Sequence, residues 1–253
     1  MIALSTLALV AALQGGQQSQ DFRWTGTLAA GKTLSIRNIN GSIDATPASG
    51  NQIEVTARKT AKRSDPASVE IKVEQTDDGV TICTIYPNQR GDGCDRHQRN
   101  SDDDDNRNDV SVAFTVRVPA AVLLSAHSVN GDVKASGLRS DVEIGTVNGD
   151  VSVATDGFAE ASTVNGSVDV TMGRADWKGT ASYRSVNGSV SVTMPASASA
   201  DVRAGTVNGS IDTEFPLAVQ GRFGPRSVRG TIGSGGRELD LQTVNGSIAI
   251  RKR

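Results

Sequence analysis

Thr163-Val164-Asn165-Gly166-Ser167-Val168-Asp169-Val170 decides how this chain is read, because some version of the stretch occurs eight times. Near-identical copies are Val129-Asn130-Gly131-Asp132-Val133, Val147-Asn148-Gly149-Asp150-Val151, Val186-Asn187-Gly188-Ser189-Val190, Val207-Asn208-Gly209-Ser210-Ile211 and Val244-Asn245-Gly246-Ser247-Ile248. Ile39-Asn40-Gly41-Ser42-Ile43 is an early copy, and Val228-Arg229-Gly230-Thr231-Ile232 is a degenerate one that interrupts the asparagine series. From Asn130 onward the copies recur roughly every 16 to 22 residues, the period at which one supersecondary unit is copied and stacked. Asn-Gly tolerates positive φ at little cost, so each copy reads as strand, tight turn, strand.

Parity separates two architectures. Val142, Ile144 and Thr146 alternate on even numbers, whereas Val147, Val151 and Val153 fall on odd ones, so the inward-facing set changes parity between Thr146 and Val147. A flat hairpin tipped by Asn148-Gly149 gives no reason for the apolar residue that precedes Asn in every copy. A solenoid corner does, if the chain bends there and both flanks turn inward. Stacked parallel coils also let identical Asn side chains hydrogen-bond from coil to coil. The expected fold is therefore all-β, a single elongated β-solenoid (β-helix) with structural turns at Asn40, Gly41, Asn130, Gly131, Asn148, Gly149, Asn165, Gly166, Asn187, Gly188, Asn208, Gly209, Gly230, Asn245 and Gly246. An antiparallel β-hairpin array is the alternative.

The composition agrees with a narrow core. Aromatic residues make up 4% of the 253 residues, Gly accounts for 27, and the formal net charge of −2 points to no nucleic-acid partner. Residues 1–20 read as a secretory signal peptide: an apolar stretch, Ile2 to Leu13, runs into polar Gly15 to Gln20 and is too short to span a bilayer. Residues 21–118 read as an irregular N-terminal part of the solenoid carrying a polar loop at 88–109, and residues 119–253 as the regular repeat region of the same domain. Cys83 and Cys94 are the two cysteines of the chain. In an exported protein such a pair forms one disulfide closing a loop of about 12 residues, worth about 3 kcal/mol; in a cytosolic chain they would be free thiols.

Several motifs imitate chemistry. Gly26-Thr27-Leu28-Ala29-Ala30-Gly31-Lys32-Thr33 matches a phosphate-binding loop, but alternating Leu34, Ser35 and Ile36 continue as a strand where that loop needs a helix. Asp102, Asp104 and Asn106 have calcium-loop spacing, yet Arg107 stands at the required Gly and Ala113 at the bidentate Glu. Arg90-Gly91-Asp92 and the Asn-Gly-Ser sequons are explained by composition and by the turn. His97 and His127 have no neighbouring nucleophile in any motif. Asp132 and Asp150 stand where other copies carry Ser, which makes them structural rather than catalytic. No catalytic, cofactor or metal residue is expected.

Alternating strands, a Cys-containing polar insertion, Val116-Arg117-Val118-Pro119 and serial Val-Asn-Gly-Asp/Ser-Val copies together resemble the bacterial DUF4097 family of β-strand-repeat proteins, which is grouped with adhesins. The resemblance covers roughly residues 30 to 250. It implies an exported envelope protein, periplasmic or at the cell surface, that binds an unidentified surface, polymer or protein ligand without catalysis. An envelope-stress sensing or scaffolding module is the alternative. A glycan-active β-helix enzyme is the second, with Trp177 and Tyr183 as the aromatic candidates of the regular copies.

Overall fold

The structure, a computed structural model, describes residues 21–87, 93–94, 108–177, 179–217, 219–220 and 225–253. The leader-like segment 1–20, His97, Arg90-Gly91-Asp92 and the Asp102–Asp105 run lie outside the described residues.

Two large mixed sheets, of ten and eleven strands, face each other across an aliphatic core, and one short 3-10 turn, Pro66–Ser68, is capped by the Asp65 side chain. In the regular region each strand of one sheet turns a corner into the other. Leu123–His127, Val142–Gly145, Ala159–Ser162 and Thr180–Arg184 lie parallel in the larger sheet, and Val133–Leu138, Val151–Thr155, Val168–Met172 and Val190–Met194 lie parallel in the smaller. Like residues stand at like heights: Val151 pairs with Val168, and Val168 with Val190. Val168, Val170 and Met172 point inward while Asp169 is exposed, the period-two pattern of a strand buried on one face. Fully burying one such valine contributes about 1.5–3 kcal/mol, which a stack of like rungs repeats. Strands meet at the Asn-Gly corners on one side and, on the other, at the segments 139–141, 156–158 and 195–199 and between Met172 and Thr180. The second set varies in length, so the uneven spacing of the copies is absorbed on that side.

Inside the corner the parity expectation needs correcting. Val147, Val164, Val186, Val207 and Val244 do not turn inward; they are 39–44% exposed. The buried residue is the one before each: Thr146, Thr163, Ser185, Thr206 and Thr243. Each of these hydroxyls donates to the carbonyl of a corner glycine one rung away, Thr163 to Gly149 at 2.9 Å and Ser185 to Gly166 at 2.8 Å, for example. Inside a core that carbonyl would otherwise be left unpaired, at a cost of about 1–3 kcal/mol. The parity change is thus spread over four outward residues, Val-Asn-Gly-Ser/Asp, with an anchored hydroxyl before them and a buried aliphatic after.

Gly230 is the second correction. It lies inside the strand Arg226–Ile232, which pairs antiparallel with Ala200–Asn208, with Val202 opposite Gly230. Arg229 carries no carboxamide to join a neighbouring rung, and both Val228 and Ile232 face the core, so the segment runs straight. The asparagine series is not interrupted there; it bypasses the segment.

Rungs are not stacked in chain order. Glu238–Asn245 lies between Thr180–Arg184 and Ala200–Asn208, and Ile248–Lys252 between Val190–Met194 and Ile211–Thr213. Near the other end, Thr33–Arg37 lies between Gly79–Ile85 and Leu123–His127, and Ile43–Pro47 between Ser111–Val118 and Val133–Leu138. Both pairing modes weighed from the sequence occur. Parallel rungs fill the middle, and antiparallel strands close three of the four sheet edges, Asp21–Gly26 on Ile53–Thr60, Glu70–Thr76 on Gly79–Ile85, and Val219–Gln220 on Arg226–Ile232, while the fourth edge, Ile211–Thr213, pairs parallel with Ile248–Lys252. Glu70, Lys72 and Glu74 place charges along one such edge, which discourages pairing with another chain.

The corner predicts a sharp asymmetry between adjacent residues. A Cβ added at Gly166, whose φ is +153°, would land on the carbonyl oxygen of Gly149. Gly166→Ala should therefore lower stability by well over the ~1 kcal/mol expected of backbone strain alone, whereas Val164→Thr, on the outer surface, should change it by less than about 0.5 kcal/mol. Thermal melts of both variants decide this. An alanine variant that melts with the parent would refute the corner packing.

Candidate functional site

The Asn-Gly corners align into a ridge along one side of the stack. Its spine is a one-way chain of carboxamides, in which each Nδ2 donates to the Oδ1 of the neighbouring rung: Asn130 to Asn40, Asn148 to Asn130, Asn165 to Asn148, Asn187 to Asn165, Asn245 to Asn187 and Asn208 to Asn245, all at 2.7–2.8 Å. Aligned amide dipoles polarise one another and strengthen such a chain. Two residues on, Ser or Asp performs one task. Asp132 Oδ1 accepts from Asp150 N and Asp150 Oδ1 from Ser167 N, while Ser247 Oγ accepts from Ser210 N at 3.2 Å. Either residue type supplies the acceptor, which explains their interchange among the copies.

On the other side of the carboxamides runs the file of exposed valines, in spatial order Val147, Val164, Val186, Val244 and Val207. These five are the exposed large hydrophobic residues among those described. The ridge thus presents an apolar row beside an uncharged amide row, repeated at the strand spacing of about 4.8 Å.

A second cluster lies on the outer face of the larger sheet. Alternation turns Ser125, His127, Glu143, Glu160, Ser162 and Arg184 outward from neighbouring parallel strands. Ser125 Oγ is 3.5 Å from His127 Nδ1, and His127 Nε2 is 4.0 Å from Glu143 Oε1. Gly145 makes room for the imidazole, since a Cβ there would meet its Cδ2 at 3.1 Å. Burial is the main cause lowering the His127 pKa; Glu143 opposes it and Arg37 adds to it. Burial, then the neighbouring Glu143, raises the Glu160 carboxyl. The fold thereby gives His127 a hydroxyl neighbour, although no sequence motif pairs the two. The cluster can hold and exchange a proton, but it lies on an open strand face.

Cys83 and Cys94 are joined by a disulfide with a Cα–Cα distance of 5.7 Å, and Arg37 Nη1 donates to the Cys94 carbonyl at 2.9 Å. Trp177 and Tyr183 are buried, so neither offers a stacking surface to a sugar. The Tyr183 hydroxyl donates to the Ala159 carbonyl at 2.8 Å. The phosphate-loop lookalike joins two strands, Asp21–Gly26 and Thr33–Arg37, and Lys32 Nζ donates to the Asp77 carbonyl. Among the described residues no three His, Cys, Asp or Glu side chains are grouped to hold a metal ion, and no helix is long and apolar enough to cross a membrane.

The sequence profile of the family described as Toastrack DUF4097 matches residues 31–251. The chain belongs to that family. Among solved structures, this Toastrack chain is similar to a "putative cell adhesion protein" from Clostridium sporogenes, at 12% identity over 92% of this chain and 100% of the other, with a TM-score of 0.47. It is also similar to a "putative adhesin" from Bacteroides fragilis, at 12% identity over 92% and 97% of the two chains, with a TM-score of 0.36. No curated protein matches the Toastrack chain.

The lowered His127 pKa fixes the sign of one pH effect. The unfolded chain binds the His127 proton more tightly than the folded one, so this residue's contribution is fully present above about pH 6.5 and is lost as pH falls through the folded-state pKa. Melting curves recorded from neutral to mildly acidic pH should therefore fall less steeply for His127→Gln than for the parent. Superimposable pH profiles would contradict the assignment.

Proposed function

We propose that this protein is an exported, non-enzymatic envelope protein of adhesin-like character that engages its partner through the valine and asparagine ridge. The observation that carries this reading is the file of five exposed valines. A single surface valine needs no explanation. Five at one motif position, on successive rungs, form a continuous apolar line about 20 Å long, and nothing inside the fold requires them to be apolar. The neighbouring carboxamides each keep donor and acceptor capacity beyond the ladder bond, so the ridge joins apolar contact with uncharged hydrogen bonding. That chemistry fits an extended partner of low charge, whether an envelope polymer or a protein.

Export is supported by the Cys83–Cys94 disulfide, which persists in oxidising compartments, and by the apolar run Ile2 to Leu13. A non-catalytic reading is supported by the exposure of the His127 side chain, 44% accessible among the described residues on the outer face of a sheet.

Replacing Val164, Val186 and Val244 together by Thr keeps shape and removes the apolar line. Retention of the purified protein on bacterial cell-wall preparations should fall at least about tenfold, which corresponds to 1.4 kcal/mol, while the melting temperature stays within a few degrees. Undiminished retention by the triple variant would show that the ridge is not the contact surface.

A further inference from the structure

We propose that Asn208 is a site of spontaneous deamidation and isomerisation, singled out from seven chemically equivalent Asn-Gly corners by its place in the stack. Asn-Gly is the sequence best suited to this reaction, because glycine puts no side chain in the way of its own backbone nitrogen. That nitrogen loses its proton to solvent base and attacks the Asn Cγ. The new N–Cγ bond replaces the bond to the side-chain nitrogen, which takes up a proton and leaves as ammonia. A succinimide remains, and water opens it at either carbonyl to give aspartate or isoaspartate. The net change consumes one water, releases one ammonia and involves no oxidation.

Six of the seven corners hold that nucleophile fast. The glycine N–H donates to the carbonyl of the asparagine on the adjacent rung: Gly41 to Asn130 at 2.7 Å, Gly131 to Asn148 at 2.8 Å, Gly149 to Asn165, Gly166 to Asn187 and Gly188 to Asn245 at 2.9 Å, and Gly246 to Asn208 at 3.0 Å. Neighbouring rungs also hold each of these asparagines through its own side chain. At Asn208 the parallel stack stops. The next strand, Arg226–Ile232, runs antiparallel, and its last pair with this one is Thr206 with Arg226. Among the described residues the Gly209 N–H therefore has no acceptor, and the Asn208 carboxamide makes a single bond, to Asn245 Oδ1 at 2.8 Å. The side chain is exposed. Inside the stack the reaction needs a rung to open first, whereas at Asn208 it needs only local motion of a terminal corner.

The product is not silent. An aspartate at position 208 loses the only donor that ties this corner's side chain to Asn245, and sets a carboxylate against the Asn245 Oδ1. Isoaspartate also inserts a methylene into the backbone. Either way a carboxylate appears beside Val207, at the end of the ridge where the corners carry Ser210 and Ser247 rather than Asp.

The full-length protein, aged in mildly alkaline buffer and mapped by peptide mass spectrometry with isoaspartyl methyltransferase labelling, tests this directly. Conversion at Asn208 should exceed that at each of Asn40, Asn130, Asn148, Asn165, Asn187 and Asn245 by at least about tenfold, and in urea the seven should converge. In Asn208→Gln the native-state signal should vanish without moving to Asn245, because the Gly246 N–H keeps its backbone acceptor at position 208. Another corner that reacts as fast in the native protein overturns the proposal. So does a lead for Asn208 that persists undiminished in urea, since sequence rather than the fold would then make the choice.

Discussion

The carbonyl oxygen of each corner glycine inside the stack, all but terminal Gly209, is the point at which the stack is held together. It accepts the inward hydroxyl of the next rung, as Gly149 does from Thr163, and it also occupies the space that a Cβ on the next corner glycine would need. One atom thereby imposes two requirements, a hydroxyl before the valine and no side chain after the asparagine. Given that close approach, the carboxamides fall within 2.7–2.8 Å of one another and the Ser or Asp side chains reach the next backbone N–H. The valine, between an anchored hydroxyl and a ladder asparagine, has only the outside left to face. The ridge is thus a by-product of rung spacing, available for recognition without disturbing the core.

Much of this was legible in the sequence, for a physical reason. Asn-Gly constrains the backbone locally, and its recurrence reports stacking, so the all-β, solenoid-like character could be read from the copies alone. The facing of Val164 could not. Apolar identity shows that burial is allowed, whereas facing is decided by which neighbour makes the tighter bond, here Thr163. The signal was present nonetheless: Thr or Ser precedes Val at residues 128, 146, 163, 185, 206 and 243. Gly230 misled because a copy differing mainly by Arg for Asn still looks like a corner, although the carboxamide is what joins the ladder. The His127 cluster was out of reach for a different reason. Ser125, His127 and Glu143 converge through strand alternation and the alignment of parallel rungs, and no local motif encodes that alignment.

The two polar regions of the surface have different chemistry. The ridge is periodic, with uncharged valine and carboxamide files beside a row of Ser or Asp, and is suited to an extended partner read by repetition. The flank around His127 is ionisable and occurs once, with carboxyls at Glu143 and Glu160 on adjacent strands and an ion pair between Arg184 and Asp240 at 3.0 Å. The two features are structurally independent, because the outward residues of a strand face are not bound into the corner network.

The order of the rungs bears on how the chain reaches its folded state. Glu238–Asn245 and Ile248–Lys252 occupy a slot whose walls, Thr180–Met194 on one side and Ala200–Thr213 on the other, come earlier in the sequence. A chain that emerges from its N-terminus can lay down rungs in succession only as far as Met194. The segment that follows can pair with Arg226–Ile232, but it has no strand partner in the earlier stack until the final rung arrives, and the slot is closed by contacts that span long stretches of sequence. Such closure is slow by the ordinary relation between contact separation and folding rate. Until it happens, two parallel edges of matching pattern stand open, and the interval between emergence and completion is set by the last segment to appear.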